Sequence, residues 1–299
     1  MFENELDLPK DFLEEEVRND YIISKEMKQI WTIELDLLYK LQKILNKYNL
    51  KYWAIGGTLI GAIRHNGIIP WDDDIDIAMP REDYERLCVV AKKEFQFPYF
   101  FQTAYTDKGC VRGHAQLRNS KTTAILFCEK DLFDFNQGIF IDIFPLDNIP
   151  NEKEKKKIFF EKINKLRKRS IVQSNRVVRI KGNFHLNILA WKIIDRFSPY
   201  MKNYIKFEKL VRLFNDEDCK EWGQISMFSE NERFQWDKEW FKETEMHQFE
   251  FIDIAIPRDY HKILTKTFGD YMKPVKEPSV HGDVYFDVNK PYEFYTKRR

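Results

Sequence analysis

The spacing of apolar residues predicts helices at several points along the chain. Between residues 25 and 48, apolar side chains recur at steps of three, four and seven, at Met27, Trp31, Leu38, Leu41, Leu45 and Tyr48. This spacing places them on one face and predicts an amphipathic packing helix. Further helices are expected over residues 58–65, 81–95, 151–170 and 258–268, and one or two within 184–214. Gly269 follows the last helix, as a glycine commonly does.

Short apolar or alternating segments between these helices predict strands. Residues 51–55 (KYWAI) form a buried run that ends at Gly56 and Gly57, a strong turn signal. Residues 74–79 (DIDIAM) alternate acidic and apolar side chains, which is the period of a strand with one polar face. Other strand-like segments are 98–103, 114–118, 123–128, 139–144 and 249–256. Asp147, between Pro145 and Pro150, is expected in a turn.

The order of these elements predicts an α/β (α+β) fold with a mixed sheet flanked by helices and a mostly helical second region. The composition changes after Pro150, where charged helical sequence begins. We therefore expect a catalytic core over residues 1–150, a helical basic region over 151–245, and a C-terminal segment over 246–299 that packs back on the core.

Composition excludes several classes of protein. Apolar residues make up 43% and charged residues 32% of the 299, with a net charge of +1, so no overall charge points to nucleic acid. The four cysteines, Cys88, Cys110, Cys128 and Cys219, form no CxxC pair, and their spacing predicts no zinc site. The acidic N-terminus lacks a secretory signal, and no run of 18 apolar residues occurs. We expect a cytoplasmic protein with reduced cysteines.

One segment departs from this balanced charge. Residues 152–181 carry twelve Lys and Arg against three Glu. Three interpretations remain open: a solvated helix face, peripheral docking on an anionic membrane at the inner face, or direct binding of an anionic polymer.

The segment over residues 56–80 carries the clearest chemistry. Asp74 and Asp76 stand two residues apart on the predicted strand, so their carboxylates should share one face. Two neighbouring carboxylates repel each other and stay ionised only beside a compensating cation. Mg²⁺ or Mn²⁺ suits oxygen ligands of this kind. An acid pair after a loop can also be a simple solvated turn, but the neighbouring glycines and the strand alternation favour a metal site.

Residues around this pair predict a phosphate site. Gly56 and Gly57 would let a phosphate approach the backbone at a helix N-terminus, and Thr58 could add a hydroxyl contact. Arg64 and Arg118 could bind phosphate oxygens in a bidentate manner. A metal site beside a phosphate site indicates phosphoryl or nucleotidyl transfer.

A third carboxylate belongs with this prediction. Asp142 lies within the strand-like run IFIDIF, where an acid is out of place unless it is paired or functional. If this strand neighbours DIDIA, Asp142 would face the same cation, as a metal ligand or as the base for an acceptor hydroxyl.

Two stretches resemble the LicD family of phosphotransferases, which fukutin and fukutin-related proteins also resemble. They are residues 56–87 (GGTLIGAIRHNGIIPWDDDIDIAMPREDYERL) and residues 139–147 (IFIDIFPLD), with a weaker match at FGDYM and the later His281. The resemblance implies a nucleotidyltransferase-like core and a metal at Asp74 and Asp76. It also suggests Asp142 as a catalytic residue. Together with the residues assigned above from their chemistry, Gly56, Gly57, Thr58, Arg64 and Arg118, His281 is expected to bind substrate.

The resemblance also implies an activity. It implies transfer of a phospho-alcohol, typically phosphocholine from CDP-choline, to a sugar hydroxyl on a lipopolysaccharide, teichoic acid or other surface glycan precursor, including a lipid-linked oligosaccharide. Choline would require an aromatic cage, but nothing in the sequence brings Trp53, Trp71, Trp222, Trp236 and Trp240 together. Glycerol or ribitol phosphate, a nucleotidyltransferase acting on a sugar phosphate, and an inactive scaffold remain alternatives.

Overall fold

The computed structural model describes residues 6–127, 129, 135–178, 193, 195–197, 199–229, 231–276 and 283–296. Its helices and strands alternate irregularly around a central mixed sheet, which confirms the predicted α/β (α+β) class. The helices are α1 (Lys25–Lys47), α2 (Gly56–His65), α3 (Arg81–Glu94), α4 (Lys153–Val178), α5 (Tyr200–Val211), α6 (Ile225–Phe228), α7 (Tyr260–Phe268) and α8 (Glu293–Thr296).

The strands are short except for one. They are β1 (Glu16–Arg18), β2 (Tyr21–Ile23), β3 (Trp53–Ala54), β4 (Asp76–Pro80), β5 (Tyr99–Gln102), β6 (Ala115–Asn119), β7 (Thr123–Leu126), β8 (Ile139–Ile149), β9 (Glu221–Gly223), β10 (Gln235–Asp237), β11 (Thr244–Phe249), β12 (Ile252–Pro257) and β13 (Val284–Asp287).

The long strand β8 organises the central sheet. One edge pairs in parallel with β4, which pairs antiparallel with β3. The other edge pairs antiparallel with β6 in its first half and with β9 in its last three residues. All eleven residues of β8 are buried, as expected for a strand covered on both faces. This position makes β8 the element against which the neighbouring polar residues are aligned.

Most predicted elements are confirmed, with local shifts at their ends. Helix α1 begins after Ser24, whose hydroxyl accepts a hydrogen bond from Met27 N and so caps the helix. Helix α2 begins at Gly56, two residues earlier than predicted, because the glycines form its first turn. The strand predicted over residues 249–256 is confirmed only from Ile252, and its start is wrong. The chain turns at Glu250, with φ of 55°, and forms the hairpin of β11 and β12.

The expectation that Asp147 lies in a turn is also wrong. Asp147 belongs to β8, is fully buried, and accepts two hydrogen bonds from the Arg81 guanidinium, at 2.7 and 2.6 Å. The buried pair joins the N-terminus of α3 to β8. A buried carboxylate needs such a partner to stay ionised, so the strand accommodates an acid that looks like a turn residue in the sequence.

The region after Pro150 adds a second hydrophobic cluster to the molecule. Helices α4 and α5 pack on each other and bury Phe159, Ile163, Tyr204 and Phe207 against Ile149 of β8. Strand β9 then joins the edge of β8. The helical basic region is therefore in contact with the core, and the domain boundaries remain a prediction.

Residues near the C-terminus also return to the core. Strand β13 pairs antiparallel with β7, with Val284 opposite Leu126. Within the described parts of the chain, no helix is both long and apolar enough to span a bilayer.

Candidate active site

A cavity of about 480 Å³ opens at the start of β4 and beside the first half of β8. Its volume falls in the range of small-molecule sites, roughly 300–1,000 Å³. The walls come from α2, the loop before β4, the strands β6 and β8, and two later segments around α6 and after α7. Lining residues include Gly56, Gly57, Arg64, Asp72, Asp74, Asp76, Arg112, His114 and Asp142.

The parallel pairing of β4 with β8 sets two carboxylates side by side. Asp76 and Asp142 are register partners, and Asp142 N donates to Ile75 O at 2.9 Å. Neighbouring residues on adjacent strands point their side chains to the same face of a sheet. Both residues line the cavity, as the sequence anticipated for strands that neighbour each other.

Asp74 reaches the cavity by a different route from the predicted one. Strand β4 begins at Asp76, so Asp74 lies in the preceding loop and not on the same strand face. One carboxylate oxygen each of Asp72, Asp73 and Asp74 lies within 4.8 Å of the others. Asp74 therefore faces the cavity together with Asp76 and also belongs to a cluster with Asp72 and Asp73, two residues that the sequence left unassigned.

These clustered acids perturb each other's ionisation. Burial, with the charge of Asp74 and a hydrogen bond to it, raises the pKa of Asp72 to about 8. Glu34 of α1 is fully buried behind the cluster, and burial together with the charges of Asp73 and Asp74 raises its pKa well above the ordinary value. Concentrated negative charge in a buried place is the environment that a divalent cation stabilises. The donor set, oxygen only, suits Mg²⁺ or Mn²⁺.

The two glycines make room for the carboxylates. Gly56 has φ of +58°, and a Cβ there would lie 3.2 Å from Asp76 Oδ2. A Cβ at Gly57 would lie only 2.7 Å from Asp72 Oδ2. Both residues also form the first turn of α2, which has no side-chain cap, and both line the cavity. The same glycines thus let acids approach the helix and leave backbone N–H groups for an anion.

Thr58 and Trp31 position the acidic loop. The Thr58 hydroxyl accepts a hydrogen bond from Asp76 N at 2.7 Å and is buried away from the cavity lining. Trp31 Nε1 donates to Asp72 O at 2.9 Å. The predicted contact of Thr58 with phosphate is replaced by a contact with the backbone of Asp76.

Of the two arginines expected to bind phosphate, Arg64 lines the cavity. Its Nη1 donates to Tyr271 O at 2.7 Å, and its Nε donates to His65 Nε2 at 2.9 Å. Burial, with the charges of Arg64 and Arg18, lowers the pKa of His65 to about 4. His65 is therefore neutral at pH 7 and can accept this hydrogen bond.

Arg118 lies elsewhere, which is at odds with the expectation of a phosphate contact. Its guanidinium is buried and donates to Gln102, Gly138 O and Gln116, at 2.6, 2.7 and 2.5 Å. Burial, with the charge of Arg112, lowers the pKa of Arg118 to about 10. Arg118 lies on the buried strand β6 and its hydrogen-bond donors are satisfied within the protein. It therefore stabilises the sheet.

Arg112 takes a place at the cavity that the sequence did not predict. Arg112 lines the cavity and pairs with Glu129, with Nη1 at 2.7 Å from Oε1 and Nη2 at 2.8 Å from Oε2. Burial alone lowers the pKa of Arg112, but the Glu129 carboxylate outweighs burial and the pKa is raised.

His114 is the other cavity residue that sequence analysis missed. Its Nε2 lies 3.0 Å from Asp142 Oδ1, and both side chains are about 95% buried. Among the described residues, the buried Nδ1 of His114 has no hydrogen-bond partner. The signal was present, since His114 opens the strand-like segment HAQLR, but only the pairing of β6 with β8 brings it to Asp142.

Aromatic side chains also line the cavity. Phe144, Phe228, Phe234, Phe268 and Tyr271 line it, and Phe228 stacks on Phe234 with ring centroids 4.1 Å apart. Trp71 joins them beside the acidic loop, in edge contact with Tyr21 and His65. Trp53, Trp222 and Trp236 instead gather around Phe241, outside this lining. His281 lies outside the described residues.

Comparison with known proteins places this site in a family. Residues 49–169 match the model for "LicD/FKTN/FKRP, nucleotidyltransferase domain", a stretch that contains Gly56, Asp76, His114 and Asp142. The chain is 30% identical over 244 residues to the lipopolysaccharide cholinephosphotransferase LicD of Haemophilus influenzae. The aligned region covers 80% of this chain and 88% of that protein.

A shorter match extends to animals. Over 40 residues the chain is 48% identical to human ribitol 5-phosphate transferase FKRP, which is 13% of this chain and 8% of that protein. The bacterial match spans most of both chains, and the family model covers the cavity residues Asp74, Asp76 and Asp142. This protein therefore belongs to the LicD family of phosphotransferases.

Proposed function

We propose that this protein transfers a phospho-alcohol, foremost phosphocholine, from a CDP-alcohol to a sugar hydroxyl of a cell-surface glycan precursor. The observation that carries the proposal is a cavity lined both by Asp74, Asp76 and Asp142 and by aromatic side chains, here called the aromatic wall. The acids suit a metal and its phosphates, whereas the aromatic wall suits a cationic alcohol such as choline.

The aromatic wall favours choline over a polyol. A quaternary ammonium group binds well against ring faces, with a gain of roughly 0.5–2 kcal/mol per contact. Trp71 and Tyr271 lie in the lining together with phenylalanines, and Asp270 adds a negative charge. The name of the Haemophilus relative supports phosphocholine, while the name of the human relative supports ribitol phosphate as the alternative. Glycerol phosphate is a further alternative.

The cavity residues can each be given a role in an in-line transfer of the phospho-alcohol. The N–H groups of Gly56 and Gly57 and the Arg64 guanidinium would bind the donor's phosphates. Asp142 would accept the proton of the acceptor hydroxyl, with His114 Nε2 beside its Oδ1 to hold the carboxylate in place. The acceptor oxygen then bonds to the β-phosphorus, the bond from that phosphorus to the bridging oxygen breaks, and CMP leaves.

Asp74 and Asp76 would hold Mg²⁺ or Mn²⁺, with Asp72 and Asp73 at hand. When bound, such an ion neutralises charge on the phosphate oxygens. We further propose a cytoplasmic location at the inner face of the membrane, where a nucleotide-activated donor and a lipid-linked or polymeric acceptor meet; lipopolysaccharide, teichoic acid and capsule precursors are the classes of acceptor.

Nucleotide release tests this proposal. The protein is incubated with CDP-choline, CDP-glycerol, CDP-ribitol or CTP, each with Mg²⁺ or Mn²⁺, and CMP and pyrophosphate are quantified. We expect CMP from CDP-choline. Asp76→Ala should lower CMP release by about a thousandfold, since the negative charge on the phosphates would no longer be neutralised. Asp253→Ala, an exposed acid on β12, serves as the matched control.

Other products would redirect the assignment. CMP from CDP-ribitol or CDP-glycerol alone would change the alcohol and keep the chemistry. Pyrophosphate from CTP would identify a nucleotidyltransferase. If no nucleotide is released, the melting temperature is measured with each CDP-alcohol, and the absence of any shift would favour a scaffold.

A further inference from the structure

Two neighbouring helices outside the cavity expose an unusual combination of side chains. Helices α4 and α5 contact each other and bury one side in the same hydrophobic cluster, so each turns its opposite side to solvent. On these outer sides, Lys157, Lys165, Lys168, Lys202, Lys206 and Lys209 are exposed. We call this surface, with the apolar residues described next, the basic–apolar face.

Large apolar side chains are exposed among these lysines. Ile158 of α4 is 49% exposed, Ile205 of α5 is 38% exposed, and Leu213, just after α5, is 57% exposed. Phe197, three residues before α5, is 80% exposed. Single exposed apolar side chains are common on proteins, but here four of them occur on or beside the two helices that also expose the lysines, which indicates an interaction surface.

Acidic side chains do little to offset the lysines of α5. The carboxylate within this helix, Glu208, accepts a hydrogen bond from the Tyr105 hydroxyl. On α4, Glu152 just before the helix pairs with Lys155 at 2.6 Å, and Glu154 and Glu161 are exposed. Asp216, Glu217 and Asp218 are exposed beyond Leu213. Positive charge therefore prevails along the outer sides of the two helices themselves, and its complement is an anionic partner.

We propose that the basic–apolar face docks on an anionic lipid membrane. Lysines attract the anionic headgroups, and the exposed Ile158, Ile205 and Leu213 insert among them. A soluble anionic polymer would use the lysines but would leave these apolar side chains in water. The apolar residues thus favour lipid over the polymer interpretation.

Docking through this face would bring the cavity close to the membrane. On the inner side of α4, Arg167 Nη1 donates to Met227 O at 2.7 Å, and Met227 lines the cavity. The helix that contacts lipid on one side thereby supports the cavity wall on the other.

Sedimentation with vesicles tests the proposal on the entire 299-residue chain. Vesicles contain phosphatidylcholine alone or mixed with phosphatidylglycerol in equal parts, at low and high ionic strength. We expect binding to the mixed vesicles at low ionic strength, and release at high ionic strength where charges are screened. Equal binding to both vesicle types, or no binding at low ionic strength, would overturn the proposal.

Two sets of variants locate the contact. Replacing Lys165, Lys168 and Lys209 by Gln should weaken vesicle binding by about a hundredfold, since each lysine contributes about a factor of five. The matched control replaces Lys51, Lys92 and Lys93, which are exposed elsewhere, by Gln. Equal losses in the two sets would show that the face is not the site.

A third variant separates lipid from polymer. Ile158→Ser, Ile205→Ser and Leu213→Ser together should weaken vesicle binding by at least about tenfold, because apolar burial is lost. Binding of soluble polyphosphate should stay unchanged. Vesicle binding equal to that of the unmodified protein would reassign the face to an anionic polymer. No turnover is measured, so this result is independent of the proposed transferase reaction.

Discussion

At the scale of single residues, the cavity brings several carboxylates close together, among them Asp72, Asp74, Asp76 and Asp142. Asp72 is held by Trp31 through its backbone and faces Asp74, and Glu34 lies buried behind the cluster. Each carboxylate raises the cost of ionising the next, so protons or a cation must compensate. This arrangement differs from a surface acid run, in which water would screen each charge.

The raised pKa of Asp72 predicts a pH-dependent stability in protein stripped of divalent cations. The folded state binds a proton up to about pH 8, whereas the unfolded state releases it near pH 3.8, so this group's contribution to stability falls as pH rises between the two. Asp72→Asn should therefore raise the melting temperature more at pH 8 than at pH 4, measured by thermal denaturation with a chelator.

An exposed acid provides the comparison for that experiment. Asp253→Asn, on the solvent side of β12, should leave the pH dependence of the melting temperature unchanged. A difference between Asp72→Asn and the unmodified protein that stays constant across this pH range would contradict the assignment of a raised pKa.

At the scale of elements, buried polar pairs hold the strands and helices that carry the site. Arg81 at the start of α3 reaches Asp147 near the end of β8, and Asn215 Nδ2 also donates to Asp147 Oδ1 at 2.8 Å. These contacts fix α3 and the segment after α5 against β8, on the side of the strand away from Asp142. They stabilise the framework without lining the cavity.

Removing this carboxylate should destabilise the fold strongly. Asp147→Ala leaves the Arg81 charge buried without its partner, which costs about 3–5 kcal/mol in free energy of unfolding. Chemical denaturation measures the loss. Glu152→Ala removes the exposed pair with Lys155 and should change stability by less than about 0.5 kcal/mol. Similar losses in the two variants would refute a structural role for the Arg81–Asp147 pair.

At the scale of the whole molecule, the cavity is assembled from distant parts of the chain. Helix α2, strands β4, β6 and β8, and the segments around residues 224–234 and 268–275 all contribute lining residues. Strand β13 reinforces β7, whose Leu126 also lines the cavity. Ligand binding at such a junction stabilises the entire fold, because it couples elements that separate on unfolding.

Metal binding should accordingly raise the melting temperature. At a free Mg²⁺ or Mn²⁺ concentration of about 100 times the dissociation constant, the gain is about 2.7 kcal/mol, or roughly 5 °C for a chain of this size. Asp74→Ala should abolish the shift, measured by thermal denaturation at matched ionic strength, whereas Asp270→Ala at the cavity rim should keep it. An equal shift in Asp74→Ala would exclude this metal site.

The sequence by itself determined the class of fold, most helices and strands, and the acidic centre of the cavity. Local spacing suffices for these features: a period near 3.6 identifies α1, and alternation with a following proline identifies β4. The run from Gly56 to Pro80 is contiguous, so its glycines and aspartates could be recognised together.

Only the tertiary structure decided which distant residues join that centre. The registers of β4, β6 and β8 bring His114 to Asp142 and Asp142 to Asp76. Side-chain packing distinguishes the two arginines, because the donors of Arg118 are satisfied inside the sheet whereas Arg112 lines the cavity. Strand register and side-chain burial depend on contacts between residues far apart in the chain. The local sequence pattern does not contain information on such contacts. The sequence alone therefore could not distinguish Trp71, which lines the cavity, from the tryptophans packed around Phe241.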